Sequence, residues 1–183
     1  DTVDETPRPL RPGSLDLTLP SEFRVGQRAS VRFEAPYAGR VLMTVETDRV
    51  LQSRWLTVDA GPVEWSFTPN SFSPNLYVSA LLLKDPHLDS AESFTPARAF
   101  GVGSAAVRPE AYVQTVELDA PSEILPGEIL EVGIRVSGGE GPTWVTLAAV
   151  DPGILSLTGF EDPDPLATLF APRALAVESF ERS

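Results

Sequence analysis

His87 is the only histidine of the chain and lies in the stretch "KDPHLDS", with Asp89 and Ser90 close by in sequence. Those are the residue types of a nucleophilic triad. A triad is a spatial arrangement with a shaped pocket and oxyanion donors, though, and sequence neighbours do not make one. The stretch therefore reads as a solvated hairpin tip. The acidic groups at Asp85–Asp89 and Glu161–Asp164 could offer oxygen ligands to calcium. Neither has the spaced ligands and turn glycine of a calcium loop, so both read as solvated turns. Carboxylate pairs for glycoside hydrolysis need a separation that only a fold can set. Trp55, Trp65 and Trp144 could form a sugar-binding platform. Val63, Trp65 and Phe67 share one face of an alternating stretch, however, which favours core packing for Trp65. Asp151 suits a turn, where its carboxylate accepts backbone hydrogen bonds, and it lacks a catalytic partner. The residues themselves point to no catalytic site, metal or cofactor.

The composition narrows the class. The chain has 183 residues, 42% hydrophobic and 22% charged, which suits a globular protein. A formal net charge of −12 argues against nucleic acid as a partner. Lys84 is the single lysine, so no polybasic patch for direct membrane contact exists. There is no cysteine, which removes disulfides, thiolate metal sites and thiol nucleophiles from consideration. Eighteen prolines and 13 glycines fit short strands joined by tight turns.

The elements that would position these residues follow from period-2 alternation. Leu15, Leu17 and Leu19 share one face, as do Val31, Phe33 and Ala35. Further strands are expected over 40–46, 50–58, 62–67, 76–83 and 97–107, with turn residues between them. Seven strands in about a hundred residues is the count of a Greek-key sandwich. Residues 1–13, with three prolines, read as an extended linker.

The second part repeats the first. "LDLTLPSEFRVGQRASVRFEAP" from Leu15 aligns with "VELDAPSEILPGEILEVGIRVS" from Val116 at a constant offset. Pro20 to Glu22 match Pro121 to Glu123, Gly26 matches Gly127, and Val31 and Phe33 match Val132 and Ile134. After one extra residue, Leu42 to Val45 correspond to Trp144 to Leu147, which suggests that Trp144 is buried. Two tandem modules are therefore expected, at 14–108 and 109–183. The second is shorter, with strands at 144–150 and 154–157. Asp164 and Pro165 mark the start of one or two helical turns over 165–170, and a last strand is expected at 174–180. Its missing strands are expected beyond Ser183, which would make the chain a fragment.

Several blocks resemble one family. "TWVTLAAVDPGILSLTGFEDPDP", from Thr143 to Pro165, is similar to a passage of bacterial alpha-2-macroglobulins. "SPNLYVSALLLK" (Ser73 to Lys84), "PARAFGVG" (Pro96 to Gly103) and "RALAV" (Arg173 to Val177) resemble further blocks of that family, in the same order. The resemblance implies an all-β fold of two tandem seven-stranded macroglobulin-type, immunoglobulin-like β-sandwiches, the second incomplete. It also implies a protease trap, in which a cut in a bait segment triggers enclosure of the protease. The family-motif and bait-proximal positions are Asp151, Gly153, Ile154, Leu155, Phe160, Pro163, Asp164, Pro165 and Arg173. Pro152 departs from the glutamate usual in the family, and the turn after Asp151 must tolerate a missing amide donor. The bait is expected downstream of this passage, with the stretch from Phe160 to Arg173 the most mobile. The thioester found in many members needs a cysteine that these residues lack.

The reading is thus a non-enzymatic structural part of a periplasmic or cell-envelope protease inhibitor, without a cofactor. Its expected partners are proteases and the neighbouring macroglobulin domains. The second reading is an immunoglobulin-like adhesin or carbohydrate-binding pair, which would need an exposed aromatic platform. A hydrolase comes third and would lose turnover in a His87→Ala variant.

Overall fold

The computed structural model describes residues 13–84, 98–139, 141–159 and 163–177. The chain forms two compact units. The first takes in the residues up to Arg108 together with those from Pro172 onward, and the second runs from Pro109 to Ala171.

Seven strands make the first unit: β1 (Glu22–Phe23), β2 (Ala29–Ala35), β3 (Gly39–Glu46), β4 (Val50–Val58), β5 (Gly61–Phe67), β6 (Asn75–Lys84) and β7 (Arg98–Val107). One sheet has the order β1-β7-β6-β3-β4, and β2 pairs antiparallel with β5 in the other. This is the all-β sandwich expected from the alternation. Val31, Phe33 and Ala35 of β2 are buried against Val41, Met43 and Val45 of β3 and Leu76, Val78, Ala80 and Leu82 of β6. Trp65 and Phe67 stack at 5.2 Å between ring centroids, and Phe23 meets Phe67 edge-on at 5.4 Å. Each such side chain contributes about 1.5–3 kcal/mol by leaving water, which makes this layer the main source of stability.

The expected opening strand at Leu15–Leu19 is divided between the two sheets. Ser14 bridges Phe100 of β7, whereas Thr18 bridges Arg32 of β2. Leu15 is buried, and Leu17 and Leu19 pack partly against the core. The crossing demands close approach: a Cβ on Gly101 would lie 2.1 Å from the Leu15 carbonyl oxygen.

The second unit holds a 3-10 turn at Glu110–Tyr112, the antiparallel pair β8 (Thr115–Asp119) and β9 (Gly133–Ser137), and two short helices. These helices are α1 (Pro152–Thr158) and α2 (Pro165–Leu169). The β8–β9 register places Asp119 opposite Gly133, which is the sequence equivalent of Thr18 opposite Arg32 in the first unit. One pairing scheme therefore occurs in both units.

Four expectations for this part fail. Residues 144–150 form no strand, because among the described residues they have no ladder partner to satisfy their backbone groups. Ile154–Leu157 is helical rather than extended. Trp144 is 95% exposed rather than buried, with no second sheet facing it among the described residues of its unit. The strand expected at 174–180 is likewise not formed over its described part, Ala174–Val177, and this segment belongs with the first unit.

Candidate functional site

The stretch from Asp151 to Arg173 is built by one local device used twice. Asp151 is the N-cap of α1: its Oδ1 accepts from the Gly153 amide at 2.7 Å, and its carbonyl accepts from the Ile154 and Leu155 amides. Pro152 occupies the first helical turn, where its amide would have had no intrahelical partner anyway. The missing amide donor that this turn had to tolerate is therefore one that the helix start leaves unused. Gly153 leaves room for the cap, since a Cβ there would lie 2.9 Å from Asp151 Oδ1. The helix ends at Gly159, whose φ of 60° places it in the left-handed region.

Asp164 and Pro165 repeat the arrangement at α2. Asp164 Oδ1 accepts from the Ala167 amide at 2.9 Å, and Pro165 again stands in the first turn. Pro163 directly precedes this cap and is exposed. The Asp-Pro pair at 151–152 is the signal that could have identified α1 from sequence, as the identical pair identified α2. Ile154 and Leu155 lie on α1 with 56% and 36% of their surface exposed. Phe160 lies outside the described residues. After α2, Phe170 reaches Tyr112 of the 3-10 turn, with ring centroids 5.8 Å apart.

Arg173 is not gathered with the helix caps. Its amide donates to Asn75 Oδ1 at 2.7 Å, and its carbonyl accepts from Asn75 Nδ2 at 3.1 Å and from the Tyr77 hydroxyl at 2.9 Å. Further along, the Ala176 amide donates to the Thr47 carbonyl at 3.3 Å. Asn75 and Tyr77 open β6, and Asn75 also holds Ser104 Oγ of β7 at 3.1 Å. Sequence reasoning placed Tyr77 on a strand and Asn75 in the turn before it, and detected this role for neither, because it depends on a contact between distant parts of the chain. Beside it, Thr47, Asp48, Arg49, Phe72 and Arg173 line a groove of about 250 Å³. Asp48 is held below the usual carboxylate range by the Thr47 hydroxyl first and its own amide next, with smaller contributions from Arg49 and Arg173.

These groups cap and clip backbone; they do not assemble a reaction centre. A second polar cluster joins Thr44, Glu46 and Ser79, all buried, with Ser79 Oγ donating to Glu46 Oε1 at 2.8 Å. The Thr44 hydroxyl, adjacent to Ser79 Oγ, donates to the same oxygen, so the buried carboxylate is satisfied internally. The groove on the second unit bordered by Glu123, Glu128 and Asp151 holds two carboxylates already bonded to backbone: Glu128 accepts from the Leu125 amide, and Asp151 caps α1. Among the described residues no group of three or more metal-ligating side chains comes together. His87, Ser90 and the acidic run at Asp85–Asp89 lie outside the described residues, as do Glu161 and Asp162. Of the tryptophans, Trp65 packs in the core, and Trp55 is exposed with the Arg40 guanidinium 5.1 Å above its ring.

The model of the alpha-2-macroglobulin bait region domain family matches residues 15–157. The chain belongs to this family. It is similar to the alpha-2-macroglobulin homolog of Yersinia pestis, 31% identical over 160 residues, which is 87% of the chain and 8% of that protein. It is also similar to the alpha-2-macroglobulin of Xylella fastidiosa strain Temecula1, 32% identical over 176 residues, covering 93% of the chain and 10% of that protein. Among solved structures, the native conformation of E. coli alpha-2-macroglobulin superposes with a TM-score of 0.52 and 25% identity, covering 90% of the chain and 11% of that protein. A mutant Salmonella alpha-2-macroglobulin gives the same values. The chain thus spans about a tenth of the length of these relatives. The family accounts for the sandwich and for the order of the sequence blocks. It does not favour the adhesin or sugar-binding reading.

Proposed function

We propose that these residues are a non-enzymatic, mechanical part of an alpha-2-macroglobulin that inhibits proteases by trapping them. The first unit is a rigid strut, and the second unit carries the approach to the bait. The observation that carries this reading is the match of the bait region domain family over residues 15–157, which includes both the strut and α1. The capped helical turns support it, because cut and uncut states of a tether can differ only if the tether's ends are held by structured anchors. The proposed partners are proteases and the adjoining macroglobulin domains of the same protein. The proposed location is the periplasm or cell envelope. No helix among the described residues is long and apolar enough to cross a membrane. These residues contain no cysteine, so they do not themselves supply a thioester.

The test uses the full-length protein. Incubation with trypsin, followed by native electrophoresis, is expected to give a single early cut and an abrupt mobility change. The captured protease should still cleave a small chromogenic peptide and fail on casein. An early cut that leaves mobility and casein hydrolysis unaltered would refute the trap.

A further inference from the structure

Arg173 is an exposed arginine in a segment outside any helix or strand, followed by Ala174. By side chain and exposure this is a favourable substrate for a trypsin-like protease. Its main chain, however, is already engaged. The Asn75 carboxamide takes both the amide and the carbonyl of Arg173, pairing with that one residue as a neighbouring strand would. The Tyr77 hydroxyl donates a second bond to the same carbonyl. Asn75 is 5% exposed, and its Nδ2 also donates to Ser104 Oγ, which fixes the orientation of the carboxamide.

A serine protease must place the carbonyl oxygen of the bond it cuts in its oxyanion hole, where backbone amides stabilise the developing charge. The Arg173 carbonyl oxygen already has two donors and faces the first unit. We infer that Asn75 and Tyr77 form a clip that fixes this point of the chain to the first unit and shields the Arg173–Ala174 peptide bond from proteolysis. The clip reads main chain rather than side chain, so replacing Arg173 with another residue leaves it intact. It goes beyond the trap reading, since it states where a cut does not fall.

The experiment is limited trypsin digestion of the 183-residue chain, with mass spectrometry following the fragment that begins at Ala174. Cleavage by a dilute protease tracks the population of the open segment. Losing the bonds from Asn75 is expected to raise the rate at Arg173 about tenfold in Asn75→Ala, and losing one bond about threefold in Tyr77→Phe. Cuts at Arg40 and Arg54, in β3 and β4, report global unfolding of the first unit. If Asn75→Ala raises these too, Tyr77→Phe decides, because it keeps the ring and removes only the hydroxyl. Arg173 cleavage at the same rate in the parent chain and in Tyr77→Phe would overturn the clip. A full-length protein that fails to trap while Arg173 stays protected would refute only the trap.

Discussion

Gly26 and Gly127 occupy the same position of the same turn in the two units. Their φ values are 76° and 93°. In each, the residue after the glycine donates its amide to the carbonyl two residues before it: Gln27 to Arg24 at 3.2 Å, and Glu128 to Leu125 at 3.1 Å. The sequence repeat is therefore a repeat of backbone geometry, and the left-handed residue at its centre explains why glycine recurs there.

Two glycines of the first unit should respond to alanine for different reasons. At Gly26 a Cβ would meet nothing within 4 Å, so the cost is conformational, about 1 kcal/mol. At Gly101 φ is ordinary, but the Cβ would run into the Leu15 carbonyl, and the added cost is about 1–3 kcal/mol or more. Urea unfolding of both variants should show Gly101→Ala as the less stable. Equal midpoints would disprove the close approach of Leu15 to β7.

Asp151→Ala removes the side-chain acceptor that starts α1, at a cost of about 1 kcal/mol to that helix. Hydrogen exchange should accelerate at Gly153, Ile154 and Leu155 while β3 and β6 keep their protection. Unchanged exchange at those three amides would show that the cap contributes nothing.

Tyr37 packs partly against the core, and its hydroxyl is buried with no hydrogen-bond partner among the described residues. Burial also pushes its pKa above the usual phenol value. Tyr37→Phe removes only that unsatisfied group, so thermal unfolding should stay level or rise, by up to about 1–3 kcal/mol in stability. A clear loss would mean that the hydroxyl has a partner in solution.

Glu22 of β1 accepts from Arg108 Nε at 2.6 Å and from Arg24 at 3.3 Å. The Arg108 bond is the largest cause holding its pKa below 4.5; partial desolvation opposes it, and Arg24 adds to it. A carboxylate with a depressed folded-state pKa stabilises fully above its unfolded pKa and loses that contribution as pH falls through the folded value. The stability gap between the parent chain and Glu22→Gln should therefore be constant near neutrality and shrink as pH drops below about 4.5. Denaturant titrations at several pH values measure it, and a gap that widens in acid would contradict the ion pair.

Much of the first unit was legible because half-buried strands impose a period of two. The alternation of Val31, Phe33 and Ala35 left one inward register, and the structure adopts it. Asp164-Pro165 likewise announced α2 through local chemistry alone. The reading failed at Trp144 and Ile154, where stretches of the second copy read as strands like those of the first. Alternation describes only what a strand would bury. Whether the stretch becomes one depends on a partner to take its amides and carbonyls.

The sequence by itself determined the β-sandwich class, the inward faces of the first unit, the twin turns and the proline-led cap at Asp164. Each of these follows from nearest-neighbour sterics or a short periodicity, so no distant residue is needed. Only the tertiary structure decided that Leu15–Leu19 crosses between sheets, that Trp144 stands in solvent, and that Arg173 returns to Asn75 and Tyr77. Those outcomes depend on which distant backbone groups find each other as hydrogen-bond partners, and one-dimensional spacing carries no record of that choice.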